Sequence, residues 1–244
     1  MVIAVAIAGL FIGSFLNVCI HRIPLGESIV WPSSRCPACR TPIRPLDNIP
    51  VVSYLVLWGR CRACSSPIPV RYPIVELLSA LLGVGMLYRF GLGVTFAVYY
   101  AWACVLLVVT FIDIDHRIIP DRFSLGGIAA GLALVYYMPH TFADALIGMA
   151  VGGGVLLVII YAYYFSTGKE GMGGGDVKLL AMIGVFTGWQ GVLFTVFAAS
   201  LAGTVVGVPY AYLHRSREGT MKTAVPFGPF LAIGALVYVF WGDV

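Results

Sequence analysis

A chain of 244 residues that is 60% hydrophobic and 11% charged cannot wet the surface of a compact soluble domain, since ordinary globular chains carry about 25% charged residues. Its mean hydropathy of +0.94 points instead to a polytopic membrane protein. The formal net charge of +4 carries no signal for nucleic acid, and no nucleic-acid partner is expected beside the lipid bilayer.

The first element is "MVIAVAIAGLFIGSFLNVCI", residues 1–20. It has no basic leading region and no small-residue cleavage site after it, and it is long enough to span. A retained first transmembrane helix is therefore expected.

Residues 21–72 are rich in Pro and Arg, too polar to insert, and form a small module between the first two spans. "CPAC" at 36–39 and "CRAC" at 61–64 give two CxxC pairs with 21 residues between them. Four thiolates from two such knuckles suit a tetrahedral Zn²⁺, although this spacing lies just outside the usual zinc-ribbon range. About 50 residues can hardly build a core alone, so a metal staple is physically sensible. Structural zinc on Cys36, Cys39, Cys61 and Cys64 is expected ahead of redox dithiols or free thiols, with no open position for catalysis. Cys19 and Cys104 fall inside spans as small buried residues.

From residue 73 to 244 the chain reads as a membrane core, a third region after 1–20 and 21–72. Apolar runs at about 73–89, 94–112, 123–138, 142–165, 177–189, 191–213 and 224–241 join the first span, giving an all-α bundle of about eight transmembrane helices. The sixth run is short, and its separation from the seventh at "TGWQG" is the weakest boundary. With the N-terminus outside, fourteen of the 15 basic residues fall in inside segments and only Arg89 outside, as cytoplasmic loops prefer. The pairs Gly9/Gly13 and Gly127/Gly131 are expected to let helices pack closely. No internal repeat is evident.

Ionisable residues at the edges of spans suggest function. In "FIDIDHRIIPD", 111–121, Asp113 lies deepest, Asp115 two residues on, and Asp121 follows a helix-breaking proline. In "GMGGGDVKLL", 171–180, Asp176 opens the sixth span at the same face. Asp113 and Asp176 can thus meet on neighbouring helices. Two carboxylates that share a proton titrate as one unit and can activate water while protonating a scissile group. Gly173, Gly174 and Gly175 permit close approach of a substrate strand and positive φ. The bland alternative is also open: Asp176 caps its helix, and Asp113 or Asp115 pairs with Arg117 or Lys178. His21, His116, His140 and His214 are expected to be solvated loop residues.

Together these stretches resemble the bacterial type IV prepilin leader peptidases, membrane aspartic proteases of the GxGD class. The resemblance covers "GSFLNVCIHRIP" at 13–24, both CxxC pairs, "RYPIVELLSALL" at 71–82, and the two aspartate motifs. It implies cleavage of the basic leader from prepilins or pseudopilins at the cytoplasmic face of the bacterial inner membrane. It further implies methylation of the new amino terminus from S-adenosylmethionine, at a cofactor site whose residues the sequence does not assign. By motif match the catalytic pair falls on Asp113 and Asp176, with Asp115 a competitor to Asp113. Lys178, within GxGD-x-K, is a candidate for screening Asp176, and Asn17 and Glu76 recur in the flanking motifs. Two rivals remain: a peptidase without methyl transfer, and a transporter using the two aspartates for protons or cations.

Overall fold

The computed structural model describes residues 1–168, 173–213 and 226–242. Lys169, Arg215, Arg217 and Lys222, four of the fourteen basic residues counted inside, lie outside the described residues, as do His214 and Gly171. Helices dominate: α1 (Val2–Arg22), α2 (Val52–Val56), α3 (Arg71–Phe90), α4 (Val94–His116), α5 (Asp121–Leu134), α6 (Phe142–Thr167), α7 (Gly174–Leu213) and α8 (Gly228–Trp241). The only extended pairings among the described residues are two isolated bridges, Arg35 with Pro42 and Arg60 with Pro67.

Among the described residues five helices are long and apolar enough to cross a membrane: α1, α3, α4, α6 and α7. The expected count of eight divides differently here. The spans drawn over 177–189 and 191–213 are one element, α7, of 40 residues with non-helical backbone at Gly188. The spans drawn over 123–138 and 224–241 are the 14-residue helices α5 and α8, each about 21 Å long against a hydrocarbon core of about 30 Å. The 224–241 run contains Pro226, and the described helix starts only at Gly228.

The chain divides into two compact units, Met1–Val108 and Val109–Val244. In the first, α1 packs on α3. A Cβ on Gly9 would lie 2.6 Å from the Ala80 Cα and one on Gly13 2.5 Å from the Glu76 Cα, so the first glycine pair does bring backbones together. Asn17 Nδ2 donates to the Tyr72 carbonyl at 3.0 Å and fixes the register of the two helices.

In the second unit α7 packs on α5, α6 and α8. Residues 179–188 are buried without interruption, which makes the first half of α7 an interior helix apolar all round. The Gly127/Gly131 pair faces Met182, Val185 and Phe186 of this helix. A closer contact went unread in the sequence: Gly148 and Gly152 of α6 meet α7 backbone at Gly184 and Leu180, where a Cβ on either glycine would run into a carbonyl oxygen. His140 is not a solvated loop residue. Its Nε2 lies 2.9 Å from the Val185 carbonyl, whose helical partner would be Trp189, just past the break in α7.

Candidate active site and cysteine cluster

Asp113 stands in the last turn of α4 and Asp176 in the first turn of α7, both within the second unit. Asp113 is 6% exposed and Asp176 half-buried. The Asp113 carboxylate is close enough for its charge to act on Asp176. Asp113 Oδ2 accepts the backbone N–H of Gly228 at 3.0 Å, from the first residue of α8. A helix N-terminus offers unpaired N–H groups and a partial positive charge, both suited to a carboxylate. A Cβ at Gly228 would sit 2.7 Å from that oxygen, so glycine is what lets the helix end come this near.

Gly228 is a site residue that sequence reasoning missed. The available signal was "PFGP" at 226–229, a glycine between helix-starting prolines, 115 positions from the carboxylate it meets. Asp115 is exposed, on a different side of α4 from Asp113, as a two-residue offset on a helix requires.

The glycine run behaves differently from expectation. None of Gly173, Gly174 and Gly175 has positive φ, and the last two belong to the first turn of α7. Gly175 is needed for packing: its virtual Cβ lies 3.0 Å from the Ile119 Cβ. Asp176 donates its N–H to the Gly173 carbonyl at 3.2 Å. Lys178 does not reach Asp176, since residues two apart on a helix do not face each other. Its Nζ lies 2.7 Å from Asp121 Oδ1 in an exposed pair, tying the start of α5 to the start of α7.

In the first unit Cys36, Cys39, Cys61 and Cys64 come together, all four sulfurs within 4.8 Å of one another. The Cys36–Cys64 sulfur distance is 3.9 Å, close to the edge of a tetrahedron with metal–sulfur bonds of about 2.3 Å. The module has two copies of one knuckle, "RCPACRTPI" at 35–43 and "RCRACSSPI" at 60–68. Cys36 N–H donates to the Thr41 carbonyl and Cys61 N–H to that of Ser66, at 3.0 and 2.9 Å. Arg40 and Ser65, at equivalent positions, have φ of 58° and 59°. This repeat, 25 residues apart, is an internal one that the sequence reading missed.

Hydrogen bonds favour the thiolate at Cys36 and Cys64, whereas Cys61 is raised against its own backbone donors by Cys36 and Cys64 beside it. The Cys36 thiol is pushed down to about 6, chiefly by the N–H of Cys39 and against the opposing effect of burial. Cys64 is lowered by the hydroxyl and N–H of Ser66. Arg62 grips Asp47 through two nitrogens at 2.7–3.1 Å and holds that carboxyl below its ordinary range. Among residues 24–70 only Cys36, Pro50, Ser53 and Gly59 are buried. The module has no apolar core of its own, and its four thiols fit a structural metal.

A cleft of about 250 Å³ also lies in the first unit, lined by Phe11, Phe15, Ser14, Arg22, Ser33 and Asn48 among others. Its lining combines hydroxyls, an amide and a guanidinium with two aromatic rings.

Residues 7–90 match the bacterial peptidase A24 N-terminal domain and residues 100–208 the type IV leader peptidase family. The chain is similar to the prepilin leader peptidase/N-methyltransferase of Pseudomonas putida, 39% identical over 97% of this chain and 89% of that protein. The protein of the same description from Aeromonas salmonicida strain A449 is 40% identical, over 96% and 88% of the two chains. That of Pseudomonas aeruginosa is 38% identical, over 99% and 91%. No solved structure matches the chain.

Proposed function

The chain belongs to the type IV leader peptidase family, and on that premise we propose that it is a membrane aspartic endopeptidase that removes the basic leader of prepilins or pseudopilins. The observation that carries this reading is the approach of buried Asp113 to Asp176, each at a helix end. A scissile bond near the membrane surface would meet the pair there. A transporter would place its carboxylates nearer mid-bilayer.

The two carboxylates hold one proton between them. The ionised one takes a proton from water as the water oxygen attacks the scissile carbonyl, while the protonated one donates its proton to the carbonyl oxygen. The proton taken from water then passes to the leaving amine, and as the C–N bond breaks the tetrahedral hydroxyl returns its proton to the second carboxylate, which restores the pair. The Gly228 N–H holds one Asp113 oxygen in a fixed direction through this cycle, which preserves the geometry of attack. The exposure of Asp115 supports Asp113 as the partner of Asp176.

The enzyme then methylates the new amino terminus. S-adenosylmethionine supplies the methyl group, and Ser14, Arg22, Ser33 and Asn48 with the rings of Phe11 and Phe15 would hold it. Cys36, Cys39, Cys61 and Cys64 would hold a Zn²⁺ that staples the module. Four thiolates would fill a tetrahedral site and leave it no part in the proton transfers. The active site and module face the cytoplasm in this reading, with the N-terminus outside the inner membrane.

The test is cleavage of a prepilin with a Gly-Phe junction by purified protein. Asp113→Asn and Asp176→Asn should each abolish cleavage while leaving metal content and methylation of precut pilin intact. If Asp113→Asn cuts and Asp115→Asn does not, the pair is Asp115 with Asp176. If all three variants cut, the peptidase assignment to these residues fails.

A further inference from the structure

Within the polar module one stretch has the wrong composition for water. "IPVVSYLVLW", residues 49–58, contains no charge and is far too short to span. Apolar segments of about 10–14 residues are core helices or interfacial ones. Burial decides between the two: Val52, Leu55, Val56 and Trp58 are 52%, 65%, 65% and 88% exposed. The first three follow the i, i+3, i+4 spacing of one helix face, and nothing in the first unit covers them.

The depth of this stretch follows from its attachment. Val51 has φ 59° and ψ −49°, and its neighbours close a γ-turn through Val52 N–H and the Pro50 carbonyl. That conformation is rare and strained, and more so for a β-branched residue. It is held by Glu76, whose Oε2 accepts the Val51 N–H at 2.7 Å. Glu76 lies five residues inside α3, about 7 Å past its start at Arg71. It also packs on Gly13 of α1, nine residues before that helix ends at Arg22. Glutamate side chains lean toward the N-terminus of their helix, so Val51 sits between the levels of Glu76 and Arg71. A loop outside the bilayer would not be tied there.

We propose that residues 49–58 dip into the surface of the bilayer beside α3 and bind phospholipid. Val52, Leu55, Val56 and Trp58 meet the acyl–headgroup boundary. Arg44 and Arg60, both exposed and flanking the stretch, meet lipid phosphates. Such anchors seat apolar faces about 5–10 Å into the interface and draw on anionic headgroups. The Glu76 carboxylate is the clamp that holds the dip in place, and the bilayer is continuous with the lipid that already surrounds α1 and α3.

The experiment uses the full chain in phosphatidylcholine–phosphatidylglycerol vesicles whose acyl chains carry bromine near the glycerol. Five tryptophans contribute to the emission. Trp58→Phe is expected to remove one tryptophan's share of the lipid-quenched signal and none of the iodide-quenched signal. Glu76→Leu, which deletes the acceptor of Val51, should move that share from lipid to iodide quenching. The proposal is overturned if Trp58→Phe removes iodide-quenched emission instead. It is equally overturned if Trp58 is shielded from iodide only after a prepilin is added, which would make this a substrate surface. If Glu76→Leu leaves the lipid quenching unchanged, the clamp is wrong.

Discussion

Around the four cysteines, side chains are placed by hydrogen bonds inside two short knuckles and by the Arg62–Asp47 pair, with almost nothing buried between 24 and 70. Around Asp113 and Asp176, side chains are placed by helix ends; α6 is pressed on α7 through Gly148, Gly152 and Gly184, and the start of α8 meets Asp113 through Gly228. The first arrangement has four thiols that could hold a metal to close it. The second depends on apolar burial, worth about 25 cal/mol per Å² removed from water, and on the absence of a few side chains. Damage to one region should therefore leave the other standing, and cleavage rate is the common scale on which to see it.

The largest effect is expected from Asp176→Asn. Loss of a general acid–base partner costs about 10²–10⁴-fold, and prepilin cleavage should fall by that amount with bound metal unchanged. Gly228→Ala should come next. Its methyl group would push on Asp113 Oδ2, and a displacement of about 1 Å can cost about 10²-fold. The thermal midpoint should fall little by comparison, and a variant that loses its fold instead would show that Gly228 serves packing first.

Removing the metal with a chelator should do the reverse. One metal per chain should be released, residues 24–70 should become open to proteolysis, and methylation should fall further than cleavage. Equal loss of both activities would mean that the two regions are not separable. Lys178→Met should have the smallest effect. An exposed ion pair contributes about 0–1 kcal/mol, so stability should shift by less than about 1 kcal/mol and cleavage should persist.

The membrane class, the positions of most helices and the gathering of the cysteines were legible because each rests on hydropathy or short-range spacing. The family was legible from five motifs in order. What escaped the sequence depends on contacts between distant backbones. Nothing local says that the N–H of Gly228 serves Asp113, or that Gly148 meets Gly184. The repeat of nine residues escaped for a different reason: only six of its positions are identical, and the similarity becomes clear when Arg40 and Ser65 are seen to share one backbone conformation. The glycines at 173–175 were read as a permissive loop, yet two of them are helical, because glycine also serves where a neighbouring side chain such as Ile119 needs room.

The break at Gly188 bears on simple length. An unbroken helix of 40 residues would be a rod of about 60 Å, twice the thickness of the hydrocarbon layer it lies in. With φ 67° and ψ −180°, Gly188 occupies a region of backbone space open to little but glycine. It acts as an elbow. The segment that carries Asp176 is thereby cut to about 20 Å, short enough to begin at the membrane surface and end within it. A side chain at 188 would press the chain back toward a straight rod, and the Asp176 carboxylate would be lifted or sunk by whatever part of that extra length the bilayer could not hide.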